Sequence, residues 1–507
     1  MILIKNSHIR IFGYSLLLIS VVVFLVTWMQ WYIGIPASLL LSFGFYKISR
    51  NIKEDNRVLS ISKQTIVLIF ALVLAWVLLS GVGGAFPQKA DMHWRNAILH
   101  DLINYSWPVR YSDGFDSSLT YYIAFWMVPA IFGKIAVLFA GAQAGWIVAN
   151  IVSALYCAVI IFAVMLLIMS HLNVSSRNRT LLVLLILVMF SGMDVIPTII
   201  SQILSKDFEL ATHLEWWTYV QYSSNTTQIF WVVNQAIPSW LVVSLLLHEN
   251  KMNHFAFLGL LLLPFGPLPF LGVFFLMVTQ AFIKVVSAKD NKLGVQYTRE
   301  AVSIPNLVAI LTILPIFYLY YHSNATVSTS TALEAGSNWN DLYPGSYIIF
   351  LLIEFMLLVI LLWKSYFNMP FFALSTFGLI VAPLFKFGSA QDFSMRVTIP
   401  FLFIIMVYTM DYLIHNLHEI KRKRIHMGRG VATVLAILII GGATPITEYV
   451  ESYLQILESN SKCTSIYADK IRTLDNGGME RDNFITKYSS DTFFYEYLAK
   501  KLPDDNI

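Results

Sequence analysis

Long, uninterrupted apolar runs dominate the chain, and most of them are as long as a membrane-spanning helix. The stretch from Thr65 to Phe86, for example, contains no charged residue. A helix needs about 20 mostly apolar residues to cross the hydrocarbon core of a bilayer. Strands of a membrane barrel instead alternate apolar and polar residues over about ten positions, which these runs do not do. The pattern therefore predicts an all-α, polytopic helical membrane protein.

Counting the runs predicts about 13 transmembrane helices. One segment, 255–284, has basic residues at both ends and Pro264, Pro267 and Pro269 in its middle. Because proline interrupts a helix, we expect a helical hairpin there. The single spans lie near residues 11–31, 33–47, 64–85, 145–170, 180–200, 229–247, 303–321, 345–363, 370–387, 396–414 and 431–447.

Composition supports a membrane protein and excludes a soluble domain. Hydrophobic residues make up 57% of the 507 positions and charged residues only 13%, and the mean hydropathy is +0.66. Soluble domains contain about 25% charged residues. Cys157 lies inside an apolar run and Cys463 is far away in sequence, so there is no disulfide framework and no metal-binding spacing.

The distribution of charge predicts the orientation in the membrane. Residues 447–507 contain seven Lys or Arg and eleven Asp or Glu, a net charge of −4, so the rest of the +4 chain carries +8. Basic residues cluster in the loops 47–63, 177–179, 284–299 and 421–429. The positive-inside rule assigns these loops to the cytoplasm, and their charge gives no indication of nucleic-acid binding. We expect a bacterial plasma-membrane protein with a cytoplasmic N-terminus, an uncleaved first helix and an extracytoplasmic C-terminus.

This orientation limits the role of residues 119–140. If they crossed the membrane, Arg177 and Arg179 would lie outside, so we interpret 119–140 as a surface or re-entrant segment. The loops 86–118, 201–228, 322–344 and 388–395 then face outward together with the tail. The predicted units are an N-terminal hairpin with its basic loop (1–63), a transmembrane domain (64–447) and an acidic tail (448–507).

Loop 86–118 is dense in ionisable residues and contains a predicted surface helix. After Asp91, a helical pattern places Trp94, Ile98 and Leu102 on one face, and the opposite face is polar. Asp91 is either the N-cap of this helix or a catalytic carboxylate. The two histidines of the polar face, His93 and His100, are either solvated or ligands of a metal.

The motifs that follow are similar to those of a known enzyme family. Trp107-Pro108 is followed by Ser118-Leu119-Thr120-Tyr121-Tyr122, Phe132-Gly133 and a span containing Ser153-Ala154. This order resembles the start of GT-C membrane glycosyltransferases, such as protein O-mannosyltransferases and the lipid A aminoarabinose transferase. In that family an outer loop carries an acidic residue and a surface helix contains a Tyr-Tyr pair. Here Ser117-Ser118 replaces the family's prolines, and the similarity covers residues 64–170 well.

The resemblance implies an inverting transfer of a sugar from a polyprenyl-phosphate carrier on the extracytoplasmic face. Asp91 would act as general base, and His93 and Arg95 would orient the acceptor. Arg396, which begins an Arg-x-x-x-Pro stretch like that of a late GT-C helix, would bind the donor phosphate with Lys386 and Arg110. The acceptor, whether glycan, lipid or protein, stays open, no cofactor is certain, and a divalent metal is an alternative with weak support.

The other outer residues have simpler explanations as well. Arg396 and Asp392 are spaced for an ion pair along a helix, and Lys386 can extend to the membrane surface. Trp216 and Trp217 fit an interfacial aromatic belt as well as a sugar-binding surface, and Asp194 is either structural or part of the same cleft. The predicted sugar- or acceptor-binding residues are Glu215, Tyr222, Asn225, Gln228, Asn234 and Gln235.

A second class of function uses the same polar residues without bond chemistry. A glycolipid or polysaccharide transporter, or flippase, often contains broken helices, and the proline-containing hairpin at 255–284 fits that description. Against a transporter, no inverted repeat is found and the ionisable residues gather at one face. A glycan polymerase or ligase would place its basic residues in a late loop, whereas the richest loop here is early. No Walker motif or serine nucleophile motif is present.

Overall fold

The computed structural model describes residues 1–112, 114–206, 213–325, 336–337, 344–386, 392–423, 428–459, 473–476 and 479–502, and it is mostly helical. The helices are α1 (Asn6–Trp28), α2 (Trp31–Ile52), α3 (Lys63–Leu79), α4 (Met92–Asn104), α5 (Ala124–His171), α6 (Arg177–Met189), α7 (Val195–Ser205), α8 (Asn225–Leu246), α9 (Phe255–Leu262), α10 (Pro267–Val286), α11 (Asn291–Ala301), α12 (Ile304–His322), α13 (Pro344–Leu351), α14 (Leu357–Tyr366), α15 (Pro370–Val381), α16 (Asp392–Val397), α17 (Ile399–Lys423), α18 (Arg429–Gly441) and α19 (Ala443–Ser459). A π-helical turn, Leu352–Met356, joins α13 to α14.

Strands are few and short. Strand β1 (Ile2–Lys5) pairs with β2 (Val58–Ile61), and β5 (Gly336–Ser337) pairs with β6 (Phe385–Lys386). The third sheet contains β3 (Arg110–Tyr111), β4 (Ser117–Leu119) and β7 (Ile485–Thr486), all antiparallel.

Eight helices of the described chain are long and apolar enough to cross a membrane. They include α1, α5, α8, α10, α12, the α13–α14 pair, the start of α17 and the α18–α19 pair. Other predicted spans coincide with the shorter apolar helices Lys63–Leu79, Met252–Leu262 and Pro370–Leu384, whereas the helix Val195–Ser205 overlaps only the end of the predicted span 180–200. The structure therefore agrees with a helical membrane protein, and the count of about 13 spans stays a prediction.

Helix α8 forms the centre of the bundle. Almost all of its residues are buried, and it contacts α1, α5, α6, α9, α10, α17 and α19. The helix is interrupted at Val232, whose φ of −135° and ψ of 35° are not helical. Asn234 and Gln235 lie two and three residues after Val232 and are fully buried. Polar groups at such a position need partners within the protein.

Of residues 119–140, predicted as a surface or re-entrant segment, residues 124–140 form the first half of a sharply bent α5, and Leu119 ends strand β4. At Gly141 the backbone has φ 82° and ψ 175°, and the two halves of the helix fold back on each other. Glycines make the close approach possible, because a Cβ on Gly145 would lie 2.3 Å from Val137 Cγ2 and 2.9 Å from the Gly133 carbonyl oxygen. The first half also packs against α4, the predicted helix of loop 86–118.

A compact ionic cluster lies at the end of the bundle where α1 begins. Arg10 donates to Glu249 at 2.6 Å and lies 3.5 Å from Asp55, and His254 is 3.0 Å from Glu249. All four belong to predicted cytoplasmic loops or to the adjoining helix ends. The opposite end of the bundle carries α4, Tyr121, Tyr122 and residues 479–502.

The C-terminal segment, residues 473–476 and 479–502, packs on α4 and on the Tyr-Tyr motif. The Asp101 carboxylate is buried and accepts hydrogen bonds from Tyr111 Oη at 3.1 Å and from the Leu474 amide at 2.9 Å. The Phe484 ring stacks on Trp94 at 5.3 Å and lies 4.8 Å from Tyr121. This part of the acidic tail is therefore integrated into the end of the bundle that carries α4.

Candidate functional site

Asp91 and Arg95 form an ion pair at the start of α4. Asp91 precedes the first residue of the helix, and its Oδ2 lies 3.4 Å from the guanidinium of Arg95, one turn later. The Asp91 side chain is 45% exposed, whereas that of Arg95 is 4% exposed. Asp91 makes no side-chain capping hydrogen bond to the helix. Of the two roles predicted for Asp91, the N-cap therefore lacks its characteristic bond.

The buried Arg95 connects α4 to the interruption in α8. Its Nε donates to Asn234 Oδ1 at 3.3 Å, and the next residue, Gln235, donates from Nε2 to Tyr122 Oη at 3.2 Å. The Gly266 backbone lies directly behind the Gln235 side chain, where a Cβ would be 3.0 Å from Gln235 Cγ. The predicted catalytic loop thus contacts Asn234, and Tyr122 contacts Gln235; both amides are predicted sugar-binding residues.

The Tyr-Tyr motif and Arg396 complete the same site. Arg396 Nη1 donates to Tyr122 Oη at 3.0 Å, and Nη2 donates to Asp392 at 2.9 Å. The hydroxyl of Tyr121 donates to that of Tyr122, and their rings are 3.6 Å apart. Burial raises the pKa of Tyr121 well above its usual value, so the hydroxyl stays protonated. The predicted Asp392–Arg396 ion pair is present, but Arg396 also faces the centre of the site.

We call this group the Asp91 site; its residues are Asp91, Arg95, Tyr121, Tyr122, Asn234, Gln235, Asp392 and Arg396. Three buried polar atoms in it have no hydrogen-bond partner among the described residues: Asn234 Nδ2, Gln235 Oε1 and Arg396 Nε. A buried polar atom left without a partner costs about 1–3 kcal/mol. Two donors and one acceptor are therefore available to a polar ligand or to water.

His93, predicted to orient the acceptor, and the predicted donor-binding residues Arg110 and Lys386 lie elsewhere or are only partly described. His93 is exposed on α4 beside Trp94. Arg110 lies on β3, paired with Ser118, and interacts electrostatically with Asp116. Lys386 lies on β6, but its side chain is outside the described part of the chain. None of the described contacts of His93 and Arg110 connects them to the Asp91 site.

Three predicted sugar-binding residues use their polar groups on the protein itself. Tyr222 donates to the Leu379 carbonyl oxygen, and Asn225 donates to the Leu187 carbonyl oxygen at 2.9 Å. Gln228 donates to the Ser223 carbonyl oxygen at 2.8 Å and accepts from Trp240. These contacts favour a packing role. They leave Asn234 and Gln235 as the predicted amides with buried polar atoms still free.

A second polar group, the Glu448 cluster, adjoins the Asp91 site; it consists of Lys89, His213, Glu215, Glu448 and Glu451. Lys89 Nζ lies 3.0 Å from Glu448 Oε2 and also pairs with Glu451. His213 Nδ1 lies 2.9 Å from Glu448 Oε1, and His213 Nε2 is 3.8 Å from Glu215 Oε2. Only Glu215 was predicted. Lys89, which was not predicted, lies two residues before Asp91 in the sequence.

The electrostatics of the Glu448 cluster come from burial opposed by neighbouring charges. Burial raises the pKa of Glu215 to about 7, although the charge of His213 opposes this shift. Burial lowers the pKa of His213, but the hydrogen bond that His213 donates to Glu448 and the charge of Glu215 outweigh burial, and the net pKa of His213 is raised. Among the residues described, His213, Glu448 and Glu451 are a group of ligand-type side chains whose atoms all lie within 4.8 Å of one another.

The Asp194 side chain is bonded to other parts of the protein. Its carboxylate accepts hydrogen bonds from Trp217 Nε1 at 3.1 Å and Thr444 Oγ1 at 3.0 Å, and it faces Glu354 of the π-helical turn. The Trp217 ring is therefore held by Asp194. Trp216, in contrast, is 59% exposed and lies 4.5 Å from the His213 ring. Of the two tryptophans, Trp216 is the one that is accessible to a ligand.

Comparisons with known proteins add no further assignment. No protein-family model, no curated protein and no solved structure matches this chain. The chemistry of the Asp91 site is therefore inferred from its own geometry.

Proposed function

We propose that the protein is a membrane glycosyltransferase that moves a sugar from a polyprenyl-phosphate carrier to an acceptor on the extracytoplasmic face. The observation that carries the proposal is the convergence of Asp91, Arg396 and the Asn234–Gln235 pair from three distant parts of the sequence. A carboxylate, an arginine and free amide groups are the chemistry that such a transfer requires.

In this mechanism each group has a distinct role. Asp91, the most exposed of the charged residues in the site, accepts the proton of the acceptor hydroxyl as that oxygen attacks the anomeric carbon. Arg396 neutralises the phosphate as it leaves with the bonding electron pair. Asn234 Nδ2 and Gln235 Oε1 are available to sugar hydroxyls, and Tyr122 holds Gln235 and Arg396 in place. The buried Arg95 fixes the position of Asp91.

The test compares a deletion strain complemented with the wild type, Asp91→Asn, Arg396→Lys or the control Glu54→Gln. Glu54 is an exposed carboxylate in the loop at the other end of the bundle. Mass spectrometry quantifies surface glycans and polyprenyl-linked sugars, with protein abundance as the reference. We expect Asp91→Asn to reduce transfer about 10²–10⁴-fold and Arg396→Lys about 10²-fold, with accumulation of the loaded carrier and no effect of Glu54→Gln.

A glycolipid transporter is the second candidate, and the break of α8 at Val232 favours it, because transporters bind substrates at interrupted helices. The same experiment separates the two. If the Asp91→Asn strain has the same surface glycans as the wild type, while the deletion strain retains an intact glycolipid on the inner leaflet, the transferase proposal is wrong. Loss of one sugar modification in both strains is the result expected for the transferase.

A further inference from the structure

The Glu448 cluster contains the donor set of a metal site. His213, Glu448 and Glu451 each offer one ligand atom, and the three atoms lie within 4.8 Å of one another. Zinc and similar ions bind histidine nitrogen and carboxylate oxygen at about 2.0–2.2 Å. Ligands opposite each other across such an ion are thus about 4.2 Å apart. Small side-chain rotations would bring all three atoms to one ion.

The surroundings of His213 have the arrangement usually found around a metal-bound histidine. Its Nδ1 faces Glu448, and its Nε2 faces Glu215 Oε2 at 3.8 Å. Glu215 is itself fixed by the Ser224 amide at 2.8 Å and by Gln221 Nε2 at 2.6 Å. Metal-bound histidines normally give their second ring N–H to a carboxylate held in this way. Independently, Glu451 Oε1 is buried and has no hydrogen-bond partner among the described residues.

Lys89 is the cation that faces these carboxylates in the structure. Its ammonium pairs with Glu448 and Glu451 and lies 5.7 Å from the Phe230 ring and 5.9 Å from the Trp231 ring. Lysine is a compact charge on a flexible stem, so it can leave the carboxylates without a change of the backbone. A divalent ion would supply twice its charge and would also use the imidazole, which Lys89 does not contact.

We propose that His213, Glu448 and Glu451 bind a divalent transition-metal ion of the zinc or manganese class, in exchange for the Lys89 ammonium. One imidazole with two carboxylates suits these ions better than magnesium or calcium, which prefer oxygen ligands alone. The ion joins α19 to the loop of His213, and its binding releases a side chain two residues before Asp91. Metal occupancy is thereby linked to the segment that carries Asp91. The binding itself does not depend on the proposed glycosyl transfer.

The test measures metal binding by the full-length chain in detergent, without any assay of activity. The protein is dialysed against Zn²⁺ or Mn²⁺ and then against metal-free buffer, and bound metal is counted by mass spectrometry. We expect one equivalent in the wild type and a higher thermal unfolding temperature with metal. His213→Gln and Glu451→Gln should each weaken binding at least tenfold, whereas the control His100→Gln, outside the cluster, should not.

Lys89→Met decides between exchange and permanent occupancy by lysine. If lysine and metal compete, this variant binds the same ion more tightly than the wild type. If the wild type binds less than a tenth of an equivalent while Lys89→Met binds one, Lys89 is the permanent cation and the proposal is wrong. Binding that persists unchanged in folded His213→Gln and Glu451→Gln also overturns it. Because the wild-type titration needs no variant, a misfolded variant does not prevent a decision.

Discussion

Replacing Asp101 by alanine tests whether the C-terminal segment supports the Asp91 site. Asp101 is completely buried on α4, the helix that begins beside Asp91. Its carboxylate accepts from Tyr111 Oη at 3.1 Å and from the Leu474 amide at 2.9 Å. These bonds join three parts of the chain, α4, β3 and the C-terminal segment. The substitution removes both at once.

The expected magnitude follows from these two bonds. A hydrogen bond to a charged group contributes about 1.5–3 kcal/mol, and both donors are buried and would have no acceptor after the substitution. Asp101→Ala should therefore weaken the attachment of the C-terminal segment by about 3–6 kcal/mol. Since each 1.4 kcal/mol is a factor of ten, the detached population should rise by about 10²–10⁴-fold. Both donors bind the same oxygen, Oδ2, so Asp101→Asn, which can keep an acceptor oxygen at that position, should lose less of this free energy than Asp101→Ala.

Hydrogen exchange measured by mass spectrometry on the protein in detergent provides the assay. The Lys500 amide, which donates to the Trp28 carbonyl oxygen at 2.9 Å, and its neighbours should exchange faster in Asp101→Ala. Asp482→Ala is the matched control, because its ion pair with Lys487 is partly exposed and such pairs contribute only about 0–1 kcal/mol. Equal exchange in the two variants would show that the segment is held by other contacts and refute the reasoning.

Three further predictions concern the same end of the bundle. Gly145→Ala should lower the thermal unfolding temperature because its Cβ would overlap the facing half of α5, whereas Gly345→Ala, with no atom within 4 Å of the added Cβ, should not. Phe484→Ala should lose about 0.5–1.5 kcal/mol from its contact with Tyr121 alone, measured by unfolding, with a smaller loss in Phe484→Leu. Burial raises the pKa of Asp116, but bonds from two serines of the C-terminal segment outweigh this and lower it below 3.8. The stability that Asp116 contributes is thus fully present above pH 3.8 and is lost as the pH falls through the lowered pKa. Proteolysis of the C-terminal segment should therefore accelerate only in strong acid. In Asp116→Asn, proteolysis should already be faster at neutral pH.

The sequence predicts the helices well where one apolar run corresponds to one helix. The predicted span 229–247 matches α8 (Asn225–Leu246) closely. The predicted span 180–200 is instead divided into α6 and α7, with an interruption at residues 190–194. The interruption depends on contacts of Asp194 with Thr444 and Trp217, which lie far away in sequence. Periodicity describes only local sequence and carries no information on such partners.

The Asp91 site and the Glu448 cluster also differ in how much local sequence reveals of them. Asp91, Arg95 and Arg396 are identifiable because ionisable residues are costly near a membrane and stand out in apolar surroundings. Lys89 and Glu451 are separated by 362 positions, and neither is unusual in its own segment. Their pairing follows only from the packing of α19 against the N-terminal half of α8. Sequence patterns therefore could not predict the Glu448 cluster.

The arrangement of polar groups along α8 favours the transferase over the transporter. Asn234 and Gln235, which belong to the Asp91 site, lie in the middle of α8, and the ion pair of Arg10 and Glu249 lies beyond its C-terminal end. Between Gln235 and the end of α8, the polar side chains of the helix are only two serines and a tryptophan. Carrying a charged headgroup through a bilayer requires polar residues along its whole path, because an unpaired charge there is costly. Because the half of α8 from Ala236 to Leu246 offers so few polar side chains, the helix suits chemistry at the Asp91 site better than passage of a headgroup along its length.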